Sequence, residues 1–219
     1  MPDLLDLAAA GHGGRPRWAQ LSRFSASVTI TGAIRALMGR PGVLDDVLVE
    51  GATRVRRLTM IPSPRPGGSV SRPHRQPPGV DGPNAWDECR IATFTAEELW
   101  PHFVTPFIFG EDDIDTEETW PWREDAQIWR ALLVTYPDPL EMHSRRQTYY
   151  FDGAGLLRRL DYDLNCPGGG PAVHYPSRYR EFDGIMVPTH RVVYPRGPDG
   201  DPDRSVVSVD IDVSKVTFR

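Results

Sequence analysis

The sequence predicts a mainly β (α+β) protein: a strongly curved antiparallel sheet or half-open β-barrel, with a few short helices as a lid. Apolar and polar residues alternate with a period of two in several segments, as in strands with one buried face. Turns such as Asp183-Gly184 join successive segments, and strands joined by tight turns are antiparallel. The chain of 219 residues contains 20 glycines and 22 prolines, which favours many turns and short strands.

Helices are expected near residues 3–10 and 95–102. Apolar residues recur at helical spacing in the first segment, before the glycines at 11, 13 and 14. In the second, Thr95 and Glu98 form a capping box, and Pro101 is expected to kink or end the helix. No shift in composition divides the chain, so residues 1–219 are expected to form one domain.

The strands follow from the alternation and from the turns between them. They are predicted at residues 24–31, 43–50, 53–61, 128–136, 147–152, 156–164, 173–182, 185–194 and 206–213. Residues 62–84 carry repeated proline and glycine and are predicted to form a long loop. The acidic residues 111–118 are interpreted as a solvated loop, since they lack the spacing of a calcium loop.

Charge and composition exclude several function classes. The formal net charge is −5, which does not favour nucleic acid as a partner. No apolar run approaches the roughly 18 residues that a membrane span needs. Lys215 is the only lysine and Cys89 and Cys166 are the only cysteines. A P-loop, a pyridoxal site at a typical position and a C-x-x-C centre are therefore excluded, and no cofactor or metal is expected.

The same composition suggests a source and a compartment. Of the 25 basic residues, all but Lys215 are arginine, and arginine codons are GC-rich, so a high-GC bacterium is expected. Residues 1–14 carry Asp3 and Asp6 and no basic residue before their apolar positions, the reverse of a signal peptide. A cytoplasmic location is therefore expected.

Large aromatic side chains are dense between residues 86 and 129. Two interpretations are open: an ordinary core, or a lid and cavity wall around an apolar ligand. On the second interpretation, the ligand-binding residues are Trp100, Phe103, Phe107, Phe109 and Trp122, together with Tyr150.

Histidine, tyrosine and arginine supply the candidate catalytic groups. His143 is predicted just before the strand 147–152 and His174 at the start of the strand 173–182, both at the same end of the sheet, where they could act as base and acid. Each could instead bond a backbone carbonyl and hold a loop. On the strand 156–164, alternation places Arg158 and Tyr162 on one face, where Arg158 could clamp a ligand carboxylate and Tyr162 could donate a hydrogen bond.

The second half of the chain resembles the closing strands of the lipoprotein-carrier (LolA-like) superfamily. The matching stretches are YFDGAGLLRRLDYDL (150–164), YREFDGIMVPTHRVVY (179–194) and VVSVDIDVSKVTF (206–218). The chain is more closely similar to a family of uncharacterised bacterial proteins. This second similarity is carried by HGGRPRW (12–18), TPFIF (105–109), WPWRE (120–124), IWRALLVTYP (128–137), HSRRQTYYFD (143–152) and HYPSRYREFDGIMVPT (174–189).

The resemblance implies a strongly curved antiparallel sheet closed by helices over an apolar cavity, in a superfamily whose members bind lipid or other hydrophobic molecules. The sequence therefore suggests an intracellular binding protein that holds a hydrophobic small molecule or lipid. The alternative is a cofactor-independent enzyme of the cyclase or isomerase type, working by acid–base chemistry on an apolar intermediate in the same cavity. A dimer-forming structural protein is a third, weaker interpretation, and the oligomeric state is left open.

Overall fold

Within the residues that the computed structural model describes, 2–33, 44–61, 99–137, 144–164 and 170–219, ten strands form one antiparallel sheet. The strands are β1 (Arg23–Thr31), β2 (Val47–Ala52), β3 (Leu58–Ile61), β4 (Asp115–Glu124), β5 (Gln127–Thr135), β6 (Arg146–Phe151), β7 (Leu157–Asp163), β8 (Pro171–Phe182), β9 (Ile185–Pro195) and β10 (Val209–Phe218). The helical parts are α1 (Leu4–Gly11), α2 (Arg15–Trp18), residues 99–104 and a 3-10 helix, Phe107–Gly110. The predicted mainly β fold with a few short helices is confirmed.

The strand order is β3-β2-β1-β10-β9-β8-β7-β6-β5-β4. Strands that are neighbours in the sheet are also consecutive in the chain, except where β1 pairs with β10. That pairing joins the first three strands to the last seven. Among the described residues the outer strands β3 and β4 do not pair with each other, so the sheet is half-open rather than a closed barrel.

The helical segment 99–110 packs on one face of the sheet, here called the inner face, and the sheet curls around it. Phe103 stacks on Phe24 of β1 and Phe109 meets Tyr149 of β6, both with ring centroids 4.6 Å apart. Five steps separate β1 from β6 in the sheet, about 24 Å if the sheet were flat. Phe103 and Phe109 are six residues apart, and the compact backbone between them, a helix end, a turn and a 3-10 helix, spans much less than that. Both contacts can therefore form only because the sheet is curved.

The N-terminal helix α1 also packs on the core. Asp3 caps it by accepting from the backbone N–H groups of Leu5 and Asp6, at 2.9 and 3.2 Å. Leu4 and Ala8, one turn apart, are buried. Gly13, with a φ of 115°, ends this region, and a Cβ there would clash with the carbonyl oxygen of Gly184. The helix thus lies directly against the β8–β9 hairpin.

Two expectations about residues 95–124 are wrong. The acidic stretch 111–118 is not all loop, because β4 begins at Asp115. Among the described strands β4 lies at the edge of the sheet and pairs only with β5, and most of its side chains are exposed, so it has no alternating apolar face. Of the two effects expected of Pro101, a kink or the end of the helix, the second is wrong, because the helix continues to residue 104. The Thr95–Glu98 capping box and the predicted loop 62–84 lie outside the described residues.

The predicted strand bounds differ most from the observed ones at β3 and β10. The strand expected at 53–61 is the short β3 (Leu58–Ile61), and that expected at 206–213 is β10 (Val209–Phe218). In the middle of the sheet, β8 and β9 lie within two residues of their predicted bounds. Asp183 and Gly184, with φ values of 51° and 83°, join them in the predicted two-residue turn.

Candidate functional site

A small polar cavity lies between the helical segment 99–110 and the inner face of the sheet. Its volume is about 20 Å³, room for one or two water-sized groups. It is lined by Pro101, His102, Thr105, Gln147, Tyr149, Leu157, Leu160, Tyr162, His174 and Arg191. The residues come from the helix and from strands β6, β7, β8 and β9, so the site depends on the whole tertiary fold.

Two imidazole rings face each other at this cavity. The centroids of His102 and His174 are 4.9 Å apart in an edge-to-face arrangement. Among the described residues, Nδ1 of His102 and Nε2 of His174 are buried and have no hydrogen-bond partner. Burial lowers the pKa of both imidazoles well below the ordinary value, and the nearby Arg191 cation lowers it further. Both rings are therefore neutral near pH 7.

Arg191 is a buried cation that has no counter-ion in the described ranges of the chain. Its exposed fraction is 3%, and Nη2 donates to the carbonyl oxygen of His102 at 2.9 Å. No carboxylate in the described part of the chain pairs with it. Burial lowers the pKa of Arg191 to about 10, so the guanidinium still carries its charge at neutral pH. A lone buried charge of this kind is costly to a folded protein.

A chain of hydrogen bonds runs along the inner face beside the cavity. Tyr136 and Tyr149 share a hydrogen bond of 2.8 Å between their hydroxyls. The Tyr149 hydroxyl donates to Oε1 of Gln147 at 2.7 Å, and Nε2 of Gln147 donates to the carbonyl of Ser144 at 3.0 Å. These contacts fix the polar wall that faces Arg191.

Of the four residues predicted to be catalytic, two lie at this cavity. His174 and Tyr162 both line it, with ring centroids 6.5 Å apart. His143 lies outside the described residues. Arg158 is half-exposed at the β6–β7 hairpin, where it pairs with Asp152 at 2.6 Å, and so it does not reach the cavity.

Four of the predicted ligand-binding residues pack in the core of the inner face. Trp100 and Phe103 are buried, and the indole Nε1 of Trp100 donates to the carbonyl of Ala52 at 2.8 Å. Phe107 stacks on Trp18 with centroids 4.3 Å apart, and Phe109 meets Tyr149. These side chains fill the space under the helical segment rather than lining the polar cavity.

The other two, Trp122 and Tyr150, lie on the outer face of the sheet. There they surround Arg159, whose Cζ lies 4.4 Å from the Trp122 ring centroid. Arg159 pairs with Asp161 and with Glu124, both at 2.7 Å. Alternation along β6 places Tyr149 and Tyr150 on opposite faces, which separates this cluster from the cavity.

The outer cluster around Arg159 is fully satisfied. Arg159 also donates to the carbonyl of Gly200 at 2.5 Å, and Tyr175 donates to Glu124 at 2.8 Å. Burial acts to raise the pKa of Glu124, but hydrogen bonds from Arg159, Tyr175 and Trp122 outweigh it, and the pKa is lowered. With its charges paired, this cluster is built to hold strands together.

Sequence reasoning missed Arg191 and His102. Along β9, a period of two places Arg191 on the same face as the buried Val187 and Val193, so a charged residue within an apolar series was the available signal. His102 carried no such signal, because its position opposite His174 arises only when the helix packs on the sheet.

Replacing Arg191 by methionine is expected to stabilise the ligand-free protein by about 1–3 kcal/mol. Methionine has a similar length and removes a buried charge that has no counter-ion. Urea denaturation of delipidated wild type and Arg191→Met measures the difference. Destabilisation by the same amount would instead make Arg191 a structural residue that holds the helix through the carbonyl of His102.

Comparison with known proteins gives a fold but no sequence family. No protein-family model matches the chain, and no curated protein matches it. A crystal structure of a DUF1329 family protein from Desulfovibrio piger matches with a TM-score of 0.55 and 14% identity, over 98% of this chain and 91% of the other. This similarity shows a shared fold across almost the whole chain.

Two further structures match over the same 98% of this chain and 92% of their own length. One is a LolA superfamily protein from Nitrosomonas europaea, with a TM-score of 0.47 and 11% identity. The other is a putative outer membrane lipoprotein-sorting protein domain from Vibrio parahaemolyticus, with a TM-score of 0.45 and 10% identity. In the described part of the chain, no helix combines the length and apolar character needed to cross a bilayer.

Proposed function

We propose that this chain binds a hydrophobic small molecule or lipid between the helical segment 99–110 and the inner face of the curved sheet. The observation that supports this most is how the segment is attached. Within the described residues its backbone hydrogen bonds are internal, for example from Thr105 to Pro101 and from Phe109 to Pro106. In the part of the chain that the structure describes, two side-chain hydrogen bonds tie it to the sheet, from Trp100 to the carbonyl of Ala52 and from Arg191 to the carbonyl of His102.

The segment can therefore move without breaking any strand ladder. The cost of moving it is two hydrogen bonds, about 1 kcal/mol each, and the apolar packing of its aromatic side chains. A hydrophobic ligand would replace that packing with its own surface, so the apolar area removed from water stays nearly constant. Phe103 and Phe107 are the side chains that such a ligand would displace.

A neutral fluorescent probe tests this proposal. Wild-type protein is expected to bind N-phenyl-1-naphthylamine with a blue shift of its emission. The variant Phe107→Asp is expected to bind at least about tenfold more weakly, because a carboxylate at this buried position, beside the half-buried Trp18 ring, makes the inner face polar. Fluorescence titration measures the affinity, and circular dichroism checks that the variant folds.

The matched control is Trp120→Asp. Trp120 is 91% exposed on β4, away from the inner face, so this substitution should leave probe binding unchanged. Failure of the wild type to bind the probe would contradict the proposal. Equal loss in both variants would place probe binding on the surface rather than under the segment.

An acid–base enzyme is the second candidate, favoured by the facing rings of His102 and His174. Since both imidazoles are neutral, either could take a proton from a bound substrate. Mass spectrometry of host metabolites incubated with wild type and with His174→Ala tests this. A compound consumed by the wild type alone supports an enzyme, and a compound recovered unchanged from both supports a binding protein.

A further inference from the structure

We infer that Arg191, His102 and His174 form a binding site for the carboxylate group of the hydrophobic ligand, which makes that ligand an acid of the fatty-acid type. The inference rests on the proposed function, because it places the apolar tail under the helical segment 99–110. It adds the chemistry of the head group and the residues that recognise it.

The first argument is charge. Arg191 is buried and positive, and the groups around it at the cavity are neutral imidazoles, phenols and an amide. On the outer face, the other buried arginine, Arg159, has Asp161 and Glu124 as counter-ions. The same chain therefore pairs one buried arginine with carboxylates and leaves the other facing a cavity. A carboxylate from outside the chain would complete the second pair.

The second argument is hydrogen bonding. A neutral imidazole donates from one ring nitrogen, and the tautomer decides which. Nε2 of His174 and Nδ1 of His102 are buried without partners among the described residues, although buried polar atoms are nearly always satisfied. Beside Arg191, both can donate to a carboxylate, which accepts about four hydrogen bonds.

The third argument is size. The cavity of about 20 Å³ has room for one or two water-sized groups, which matches the two oxygens of a carboxylate better than the tetrahedral head of a phosphate. Leu157 and Leu160 form part of its wall, and Phe109 and Tyr149 pack beside it. An apolar tail attached to the carboxylate would thus continue into the core under the helical segment.

Dodecanoate and dodecan-1-ol separate the head group from the tail. Isothermal titration of delipidated wild type is expected to show dodecanoate binding at least about tenfold more tightly than the alcohol. Arg191→Gln should lower dodecanoate affinity by about 30-fold or more and leave that of the alcohol within about threefold. The control Arg180→Gln removes an exposed arginine of the same hairpin and should change neither affinity.

The other outcomes have distinct meanings. If the wild type binds acid and alcohol equally, the carboxylate site is overturned and the proposed function stands. If it binds neither compound, both the proposed function and the proposed site for a lipid carboxylate are overturned. Acetate binding as tightly as dodecanoate would show a site for free small carboxylates and overturn the fatty-acid assignment.

A measurement on the wild type covers the case in which Arg191→Gln does not fold. In the carbon-13 spectrum of carboxyl-labelled dodecanoate bound to the protein, the carboxyl signal should stay that of the ionised form to a lower pH than in solution, because the guanidinium stabilises the anion. A bound carboxyl that titrates as it does in water would overturn the proposal.

Discussion

The Arg159→Met variant is expected to lose about 3–5 kcal/mol in its free energy of unfolding. Arg159 is fully buried and holds two carboxylates that are themselves largely buried, those of Asp161 and Glu124. Methionine fills a similar volume but leaves the two carboxylates only their longer ion pairs, Asp161 with Arg196 at 3.5 Å and Glu124 with Arg204 at 3.6 Å. Removing one partner of a buried ion pair typically costs this much. Urea denaturation followed by tryptophan fluorescence measures it, since Trp122 stacks on the guanidinium.

The neighbouring Arg158 provides the matched control. It also pairs with an aspartate, Asp152, but its side chain is 38% exposed. Pairs that reach solvent contribute little, so Arg158→Met should cost less than about 1 kcal/mol. If both variants lost the same free energy of unfolding, the burial of Arg159 would not be what determines its contribution to stability.

The two buried arginines are expected to respond in opposite directions. Replacing Arg159 removes a satisfied counter-ion, whereas replacing Arg191 removes a charge that has no counter-ion among the described residues. Both residues lie in central strands and both are nearly inaccessible, so burial alone does not distinguish them. What distinguishes them is whether the chain supplies the carboxylates. Binding sites in proteins commonly contain groups that destabilise the ligand-free folded state, because such groups are selected for binding the ligand and not for stability.

A strand could be predicted from the sequence when one of its faces buries apolar side chains. β8 and β9 alternate apolar and polar residues and meet at Asp183-Gly184, so pattern and turn chemistry agreed. β4 could not be recognised, since its side chains are mostly exposed and its pairing with β5 leaves no periodic signal. Edge strands are specified by their partner more than by their own sequence.

The candidate site was only partly predictable for a related reason. Alternation in the strand 156–164 put Tyr162 and Arg158 on one face, but Tyr162 lines the cavity together with His174 and Arg158 does not. His102 is 72 residues away from His174 in the sequence, and nothing local to either indicates that their rings meet. The packing of the helix on a curved sheet brings them together, and such long-range geometry is not encoded in any single segment.

Acidification from pH 7.5 to pH 5 is expected to destabilise the ligand-free protein by well over 2 kcal/mol. Burial lowers the pKa of His12 from 6.5 to about 4, so the folded state keeps this ring neutral where the unfolded chain protonates it. The stabilisation is complete above about pH 6.5 and is lost as the pH falls towards 4. At pH 5, His12 alone accounts for about 2 kcal/mol.

His102 and His174 act in the same direction, because burial also holds the pKa of each well below the ordinary value. Urea denaturation at a series of pH values measures the combined slope. His12→Asn keeps a donor for the Ala8 carbonyl, which His12 contacts at 2.9 Å, and removes one titrating group. The variant should therefore lose about 2 kcal/mol less than the wild type between pH 7.5 and 5, even if its stability at pH 7.5 is lower.

A wild-type stability that stays constant between pH 6.5 and 5 would contradict the buried neutral state of these rings. Bound dodecanoate provides a second check on the same curve. A negative carboxylate beside His102 and His174 favours their protonated forms, so it raises the pKa of both rings in the folded state. The saturated complex should then lose less stability than the ligand-free protein over this pH range, and the difference should disappear in Arg191→Gln, which no longer holds the carboxylate.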